Sequence, residues 1–148
     1  MTGESAGTAG EAEIRALVKA RARAVRAGDV DASVADLSPD VESFDVVGPL
    51  RRKGSGDVRG RAEQWFGTFS GPIGFEIRDL RISAGQDVGF AHYLYRVTGA
   101  FKAGGGIKMW VRTTLCCERV DGRWMVTHEH QSVPFDPATG KASLDVEP

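Results

Sequence analysis

Residues 107–133, IKMWVRTTLCCERVDGRWMVTHEHQSV, decide the fold. Side chains alternate on either side of Asp121-Gly122, and Asp-Gly between two alternating runs marks a tight hairpin turn. Two long strands are therefore expected, at 107–120 and 123–133. Upstream, the period of two continues through 74–83 and 87–99. The turns between these runs are Ala84-Gly85-Gln86 and the Gly-rich stretch 103–106. Consecutive strands joined by short turns pair with their neighbours, so this half reads as an antiparallel meander. Pro134 ends it.

Before Gly71-Pro72 the pattern is helical. Ile14, Leu17, Val18, Ala24 and Val25 recur at spacings of three and four, the mark of one buried stripe on a helix over 11–27. Gly28 reads as its C-cap, and Asp29 as the N-cap of a short helix over 30–37, stopped by Ser38-Pro39-Asp40. A strand at 42–47, a Gly- and Arg-rich loop and a helix at 60–69 follow. Helices first and strands after imply an α+β fold, a curved antiparallel or mixed sheet wrapped on N-terminal helices. The expected organisation is a disordered leader at 1–10, one domain at 11–135 and a tail at 136–148.

Composition bounds the rest. The chain has 148 residues and a formal net charge of −1, without the basic field that nonspecific nucleic-acid binding needs. No apolar run approaches the ~20 residues that span a bilayer. Cys116 and Cys117 are neighbours and, on a strand, point to opposite faces, so both read as free thiols. Together with a start that lacks signal-peptide features, this makes a reducing cytoplasm the expected location.

With hairpins at these turns, one sheet face carries Glu76, Arg78, Leu80, Ile82, Phe90, His92, Trp110, Arg112, Thr114, Trp124, Val126, His128 and His130. It is apolar at one end and rich in ionisable groups at the other, as expected of a pocket wall. Tyr93, Tyr95, Met109, Val111, Leu115, Thr127, Glu129 and Gln131 fall on the opposite, outer face, which is expected to carry a homodimer interface. Other readings stay open: Trp65, Trp110 and Trp124 as core, His128 and His130 as structural, Arg112 paired with Glu76, Asp45 as a solvated carboxylate, or a register shifted by one residue.

The runs Trp110-Val111-Arg112-Thr113-Thr114, Asp121-Gly122-Arg123-Trp124 and His128-Glu129-His130-Gln131-Ser132-Val133-Pro134 together resemble SnoaL-like, ketosteroid-isomerase-related proteins of the nuclear transport factor 2-like superfamily. The stretch Asp45-Val46-Val47-Gly48-Pro49-Leu50 and the helix with Trp65-Phe66 are similar to the same group. The resemblance spans about residues 11–140. It implies a cone-shaped, cystatin-like α+β barrel, usually dimeric, with a pocket in the cone.

The superfamily includes isomerases, polyketide cyclases, epoxide hydrolases, dehydratases and members without chemistry. Its steroid isomerases use a carboxylate in an Asp-x-Val-Gly setting as general base, and Asp45-Val46-Val47-Gly48 matches that setting. Their oxyanion partners are a Tyr on the first helix and an acid on the sheet. Here the first helix has no Tyr, and the sheet position falls near Thr114.

The resulting expectation is a cofactor-independent isomerase, cyclase or hydrolase acting on a small apolar oxygenated molecule. Asp45 is the base, with Arg112, His128 and His130 at the oxyanion or leaving oxygen. Trp65, His92, Trp110, Thr114 and Trp124 are the candidate substrate-binding residues. The alternative is a non-catalytic ligand-binding or dimerisation module. His92, His128 and His130 are also weighed as metal ligands, but Arg112 beside them disfavours a cation, and no metal is expected.

Overall fold

The computed structural model describes residues 2–148. Three helices precede or interrupt the first strands: α1 (Thr2–Ala27), α2 (Val30–Ser33) and α3 (Ser55–Gly67). Six strands follow the order β1 (Leu37–Phe44), β2 (Arg52–Lys53), β3 (Gly74–Ala84), β4 (Val88–Ala100), β5 (Gly106–Val120) and β6 (Arg123–Ser132). They form one sheet in the order β2-β1-β6-β5-β4-β3. β3 to β6 make the expected antiparallel meander, and β1 joins β6 in parallel, so the sheet is mixed.

Local chemistry explains most of the boundaries. Ile14, Val18 and Ala22 are buried at successive four-residue steps along α1. Gly28, at φ 66°, and Asp29 close α1 with bonds to the Val25 and Ala24 carbonyls. Asp29 then caps α2, accepting from the Ala32 amide at 3.1 Å. Asp121 and Gly122 both take positive φ, 51° and 77°, as a two-residue hairpin of this type requires.

Four expectations need correction. The stretch read as a disordered leader is, from Thr2 on, the start of α1, and Met1 lies outside the described residues. Gly10, at the end of that stretch, is buried so close to the sheet that a Cβ would sit 3.1 Å from Trp124 and 3.2 Å from Ala84. The second helix stops at Ser33, and Ser38-Pro39-Asp40 lies inside β1 rather than before it. Pro39 is tolerated because the β1–β6 register breaks between Leu37 and Glu42, where no ladder partner needs its missing N–H. Residues 52–53 form a short strand within the expected loop, and α3 begins at Ser55, five residues before the expected start at Gly60.

The fourth correction concerns the faces. The helices cover the face that carries Tyr93, Tyr95, Val97, Val111, Thr113, Leu115 and Glu129, all buried. The face expected to line a pocket points away from them. Two bulges also break the uniform alternation. Asp79-Leu80 opposes a single residue of β4, with Asp79 at φ 57°, so Phe75 and Ile77 share the inner face with Leu80 and Ile82. Thr127 is the extra residue between β5 and β6, so Trp124 and Val126 point inward while His128 and His130 point outward. The side chains expected at a dimer interface therefore belong to the core and the pocket wall. Both cysteines are free; Cys117 is buried and Cys116 half-buried. No helix among the described residues is long and apolar enough to cross a membrane.

Candidate functional site

A cavity of about 620 Å³ lies between the inner sheet face, α1 and α3. Its walls are mainly apolar: Val25 and Ala22 from α1, Val58, Ala62, Trp65 and Phe66 from α3, and Phe75, Val97, Ile107 and Met109 from the sheet. The volume suits one small organic molecule. Trp65 packs edge-on against Phe69 with ring centroids 5.1 Å apart, which fixes the indole at the wall.

Three polar groupings interrupt this lining. The first is buried. Arg21, in the middle of the apolar stripe of α1, reaches across to β6 and donates from Nη2 to Glu129 Oε2 at 2.7 Å. The other Glu129 oxygen accepts from Ser43 Oγ of β1 at 3.0 Å, and Arg21 Nε lies 3.7 Å from Asp36 Oδ1. The Glu129 side chain is only 5% exposed and that of Arg21 16%. Burial opposes the charge of Arg21, but Glu129 and Asp36 outweigh it and hold the guanidinium above its ordinary value. Burial raises the Asp36 carboxyl against the pull of Arg21.

The second grouping is phenolic. Tyr95 donates to Gln131 Oε1 at 2.6 Å and stacks on Phe75, and Tyr93 lines the cavity beside it. Burial pushes the Tyr93 phenol up to about 12, and that of Tyr95 higher still. Both phenols therefore keep their protons at neutral pH and serve as hydrogen-bond donors.

The third is Asp45, just after β1. Its Oδ2 accepts from Arg61 Nε of α3 at 3.1 Å and its Oδ1 from the Val46 amide at 2.6 Å. Each oxygen keeps a further lone pair for a ligand.

Of the residues singled out from sequence, Asp45 and Trp65 line this cavity. The rest lie elsewhere. Arg112 and Thr114 are exposed on the outer face, where Arg112 Nε donates to Ser132 Oγ at 3.1 Å. Glu76, weighed as the partner of Arg112, instead pairs with Arg96. Trp110, also outward, donates to Glu147 at 3.0 Å. His128 shares Nδ1 with the Glu42 carbonyl at 2.7 Å and packs edge-on against Phe44, as does His130. His92 stacks on Phe90 on the same side. Trp124 is buried under α1 with Arg119 over its ring at 4.9 Å. Among the described residues no group of three His, Cys, Asp or Glu side chains could hold a metal ion.

Sequence reading missed Arg21, Ser43, Arg61, Tyr93, Tyr95, Glu129 and Gln131 as pocket residues. One signal was available. Arg21 stands three and four residues from Val18 and Leu17, within the apolar stripe, and a cation there calls for a buried carboxylate.

The buried acids set an alkaline limit on stability. Tyr93 and Tyr95 are held above 10.0, and burial lifts the Cys117 thiol from 9.0 to about 11. An unfolded chain loses these protons at lower pH than the folded chain does, so each group penalises folding as pH rises. Their contribution is complete below about pH 9 and falls progressively toward pH 12. Urea unfolding at about pH 8 and about pH 10.5 is expected to show this fall, and Tyr95→Phe to flatten it. An equal fall in the variant would exclude Tyr95 as a source.

The comparisons agree with this architecture. The SnoaL-like domain family matches residues 14–136. An NTF2-like protein of unknown function from Pseudomonas putida is 34% identical, with a TM-score of 0.88 over 95% of this chain and 98% of that one. A ketosteroid isomerase-like protein from Erwinia carotovora atroseptica is 19% identical, with a TM-score of 0.70 over 82% of this chain and 94% of that one. A protein with a cystatin-like fold from Caulobacter vibrioides is 18% identical, with a TM-score of 0.71 over 86% and 90%. At these lower identities the likeness concerns the fold alone. No curated protein matches the chain. The family match covers most of the chain and the Pseudomonas relative nearly all of it, so the chain belongs to the SnoaL-like family.

Proposed function

We propose that the cavity is the active site of a cofactor-independent enzyme that moves a proton on a small, apolar, oxygenated molecule. The observation that carries this reading is the meeting of a carboxylate, Asp45, with two protonated phenols in one mainly apolar cavity. Asp45 takes a proton from the carbon next to a carbonyl. The C–H electron pair moves into the new C=C bond, and the carbonyl π pair becomes the enolate oxygen. The O–H of Tyr93 donates to that oxygen, since the single proton of Tyr95 is already given to Gln131. With a β,γ-unsaturated ketone, return of the proton from Asp45 to the γ carbon re-forms the carbonyl and completes an isomerisation; with a β-oxygen substituent, collapse of the enolate expels that oxygen, which takes the proton from Asp45, and completes an elimination.

Arg61 holds the Asp45 carboxylate toward the cavity, and the Arg21–Glu129–Ser43 grouping fixes the floor beneath the phenols. In this reading the oxyanion donor is Tyr93 of the inner face, in place of Arg112, His128 and His130. A non-catalytic binding module is the second reading. It is favoured by the fact that both Asp45 oxygens already accept a bond within the protein.

A thermal-shift screen against polycyclic ketones, steroids, aromatic polyketides and epoxides tests the shared part of both readings. A ligand at a hundred times its Kd contributes about 2.7 kcal/mol. For a domain of this size that raises Tm by roughly 5–10 °C. Binding lost in Trp65→Ala supports the cavity as the site. A shift unchanged by that substitution would place the ligand elsewhere.

A further inference from the structure

The cavity differs in charge from the chain around it. The chain carries a formal net charge of −1. Four cationic side chains line the cavity, Arg21, Arg52, Arg61 and Lys102, against two carboxylates, Asp45 and Glu129. Arg21 is engaged by Glu129 and Asp36, and Arg61 by Asp45. Arg52 has one long contact, to Asp57 at 3.4 Å, so the positive excess of the lining rests on Lys102 and on the charge of Arg52 that this contact leaves over.

Arg52 is the better placed of the two. It sits on the short strand β2, and its side chain is only 16% exposed. Its Nη1 lies 3.4 Å from Asp57, a residue itself half exposed, and its Nη2 donates to the Gly48 carbonyl at 3.3 Å. Its Nε is buried and has no acceptor among the described residues. A half-buried guanidinium whose contacts, at 3.4 and 3.3 Å, are both long can exchange them for a ligand carboxylate at shorter distance. Lys102 stands exposed on the loop after β4, at the cavity edge, where it adds to the positive potential.

We propose that the ligand of this cavity is an apolar molecule bearing one carboxylate, held by Arg52 under the field of Lys102, with its apolar body against Trp65. This inference rests on the pocket reading above and narrows its substrate class. The carboxylate fixes which end enters first, and so which carbon faces Asp45.

The test compares two fluorescent probes of the same shape, a pyrene carboxylate and the matched neutral carboxamide, titrated into the intact protein at neutral pH and low salt. The expected result is that the carboxylate binds at least ten-fold tighter. That preference shrinks with added salt and is lost in the double variant Arg52→Gln, Lys102→Gln, while the carboxamide affinity stays within about two-fold. The wild-type comparison alone decides the matter if the variant fails to fold. A carboxamide that binds as tightly as the carboxylate overturns the acid preference and leaves the pocket reading standing. Failure of both probes to bind overturns the two together.

Discussion

Replacing Arg21 by methionine is expected to destabilise the protein by about 3–5 kcal/mol, the usual effect of removing one partner from a buried ion pair. In a domain of this size that lowers Tm by roughly 10 °C or more. The methionine fills much of the volume, so the loss is electrostatic. Glu129, with a side chain 5% exposed, keeps only the Ser43 hydroxyl, and Asp36 loses its nearest cation. Glu129 is then left in a low-dielectric region without a counter-charge, and Asp36 with only the weaker pull of Arg123. The control is the triple variant Arg21→Met, Glu129→Gln, Asp36→Asn, which removes the charges together. It should recover most of the loss, because the interior no longer holds an unpaired ion. Chemical denaturation of the three proteins measures both effects. A single variant as stable as the wild type would mean that this network does not hold α1 to the sheet.

The second large effect is on turnover. Asp45→Asn is expected to reduce it by about 10²–10⁴-fold, the range for removal of a positioned general base. Stability is expected to fall by about 1–3 kcal/mol, because the amide has one oxygen and can accept from the Val46 amide or from Arg61 but not from both. Ligand affinity should hold, since the substitution keeps the shape of the wall. A fall in kcat with KM unchanged separates a role in proton transfer from a role in binding. Tyr93→Phe tests the oxyanion donor in the same assay.

The architecture was legible because its signals are local. The Asp121-Gly122 turn, the Gly28-Asp29 junction and the apolar stripe through Ile14 and Val18 each depend on a few neighbouring residues, and each falls where the pattern put it. The inward direction of the sheet was not legible in the same way. Alternation divides Tyr93 and Tyr95 from His92 and Arg96, but it does not say which set the helices cover.

The polar residues of the covered face are the reason the two sets were exchanged. Glu129, Gln131 and Thr113 look like solvent-facing side chains until Arg21 and Tyr95 arrive from other parts of the chain to bond Glu129 and Gln131. The histidines look functional by chemistry but face outward. The bulges compounded the difficulty. Around Asp79 the apolar residues pass from odd positions, Phe75 and Ile77, to even ones, Leu80 and Ile82. That change of parity is a readable mark of an inserted residue. Around Thr127 the apolar pattern simply ends at Val126, and nothing local marks the bulge.

The central claim is that Asp45 moves a proton within this cavity. Solvent-deuterium exchange tests it without knowledge of the final product. A ketone that raises Tm in the screen is incubated with the enzyme in heavy water, and uptake of deuterium next to its carbonyl is followed by NMR. Exchange is expected to be catalysed by the wild-type protein and reduced to near background in Asp45→Asn, with the ketone still bound. Exchange at the wild-type rate in Asp45→Asn, or no exchange by a wild-type protein that binds the ketone, would contradict it.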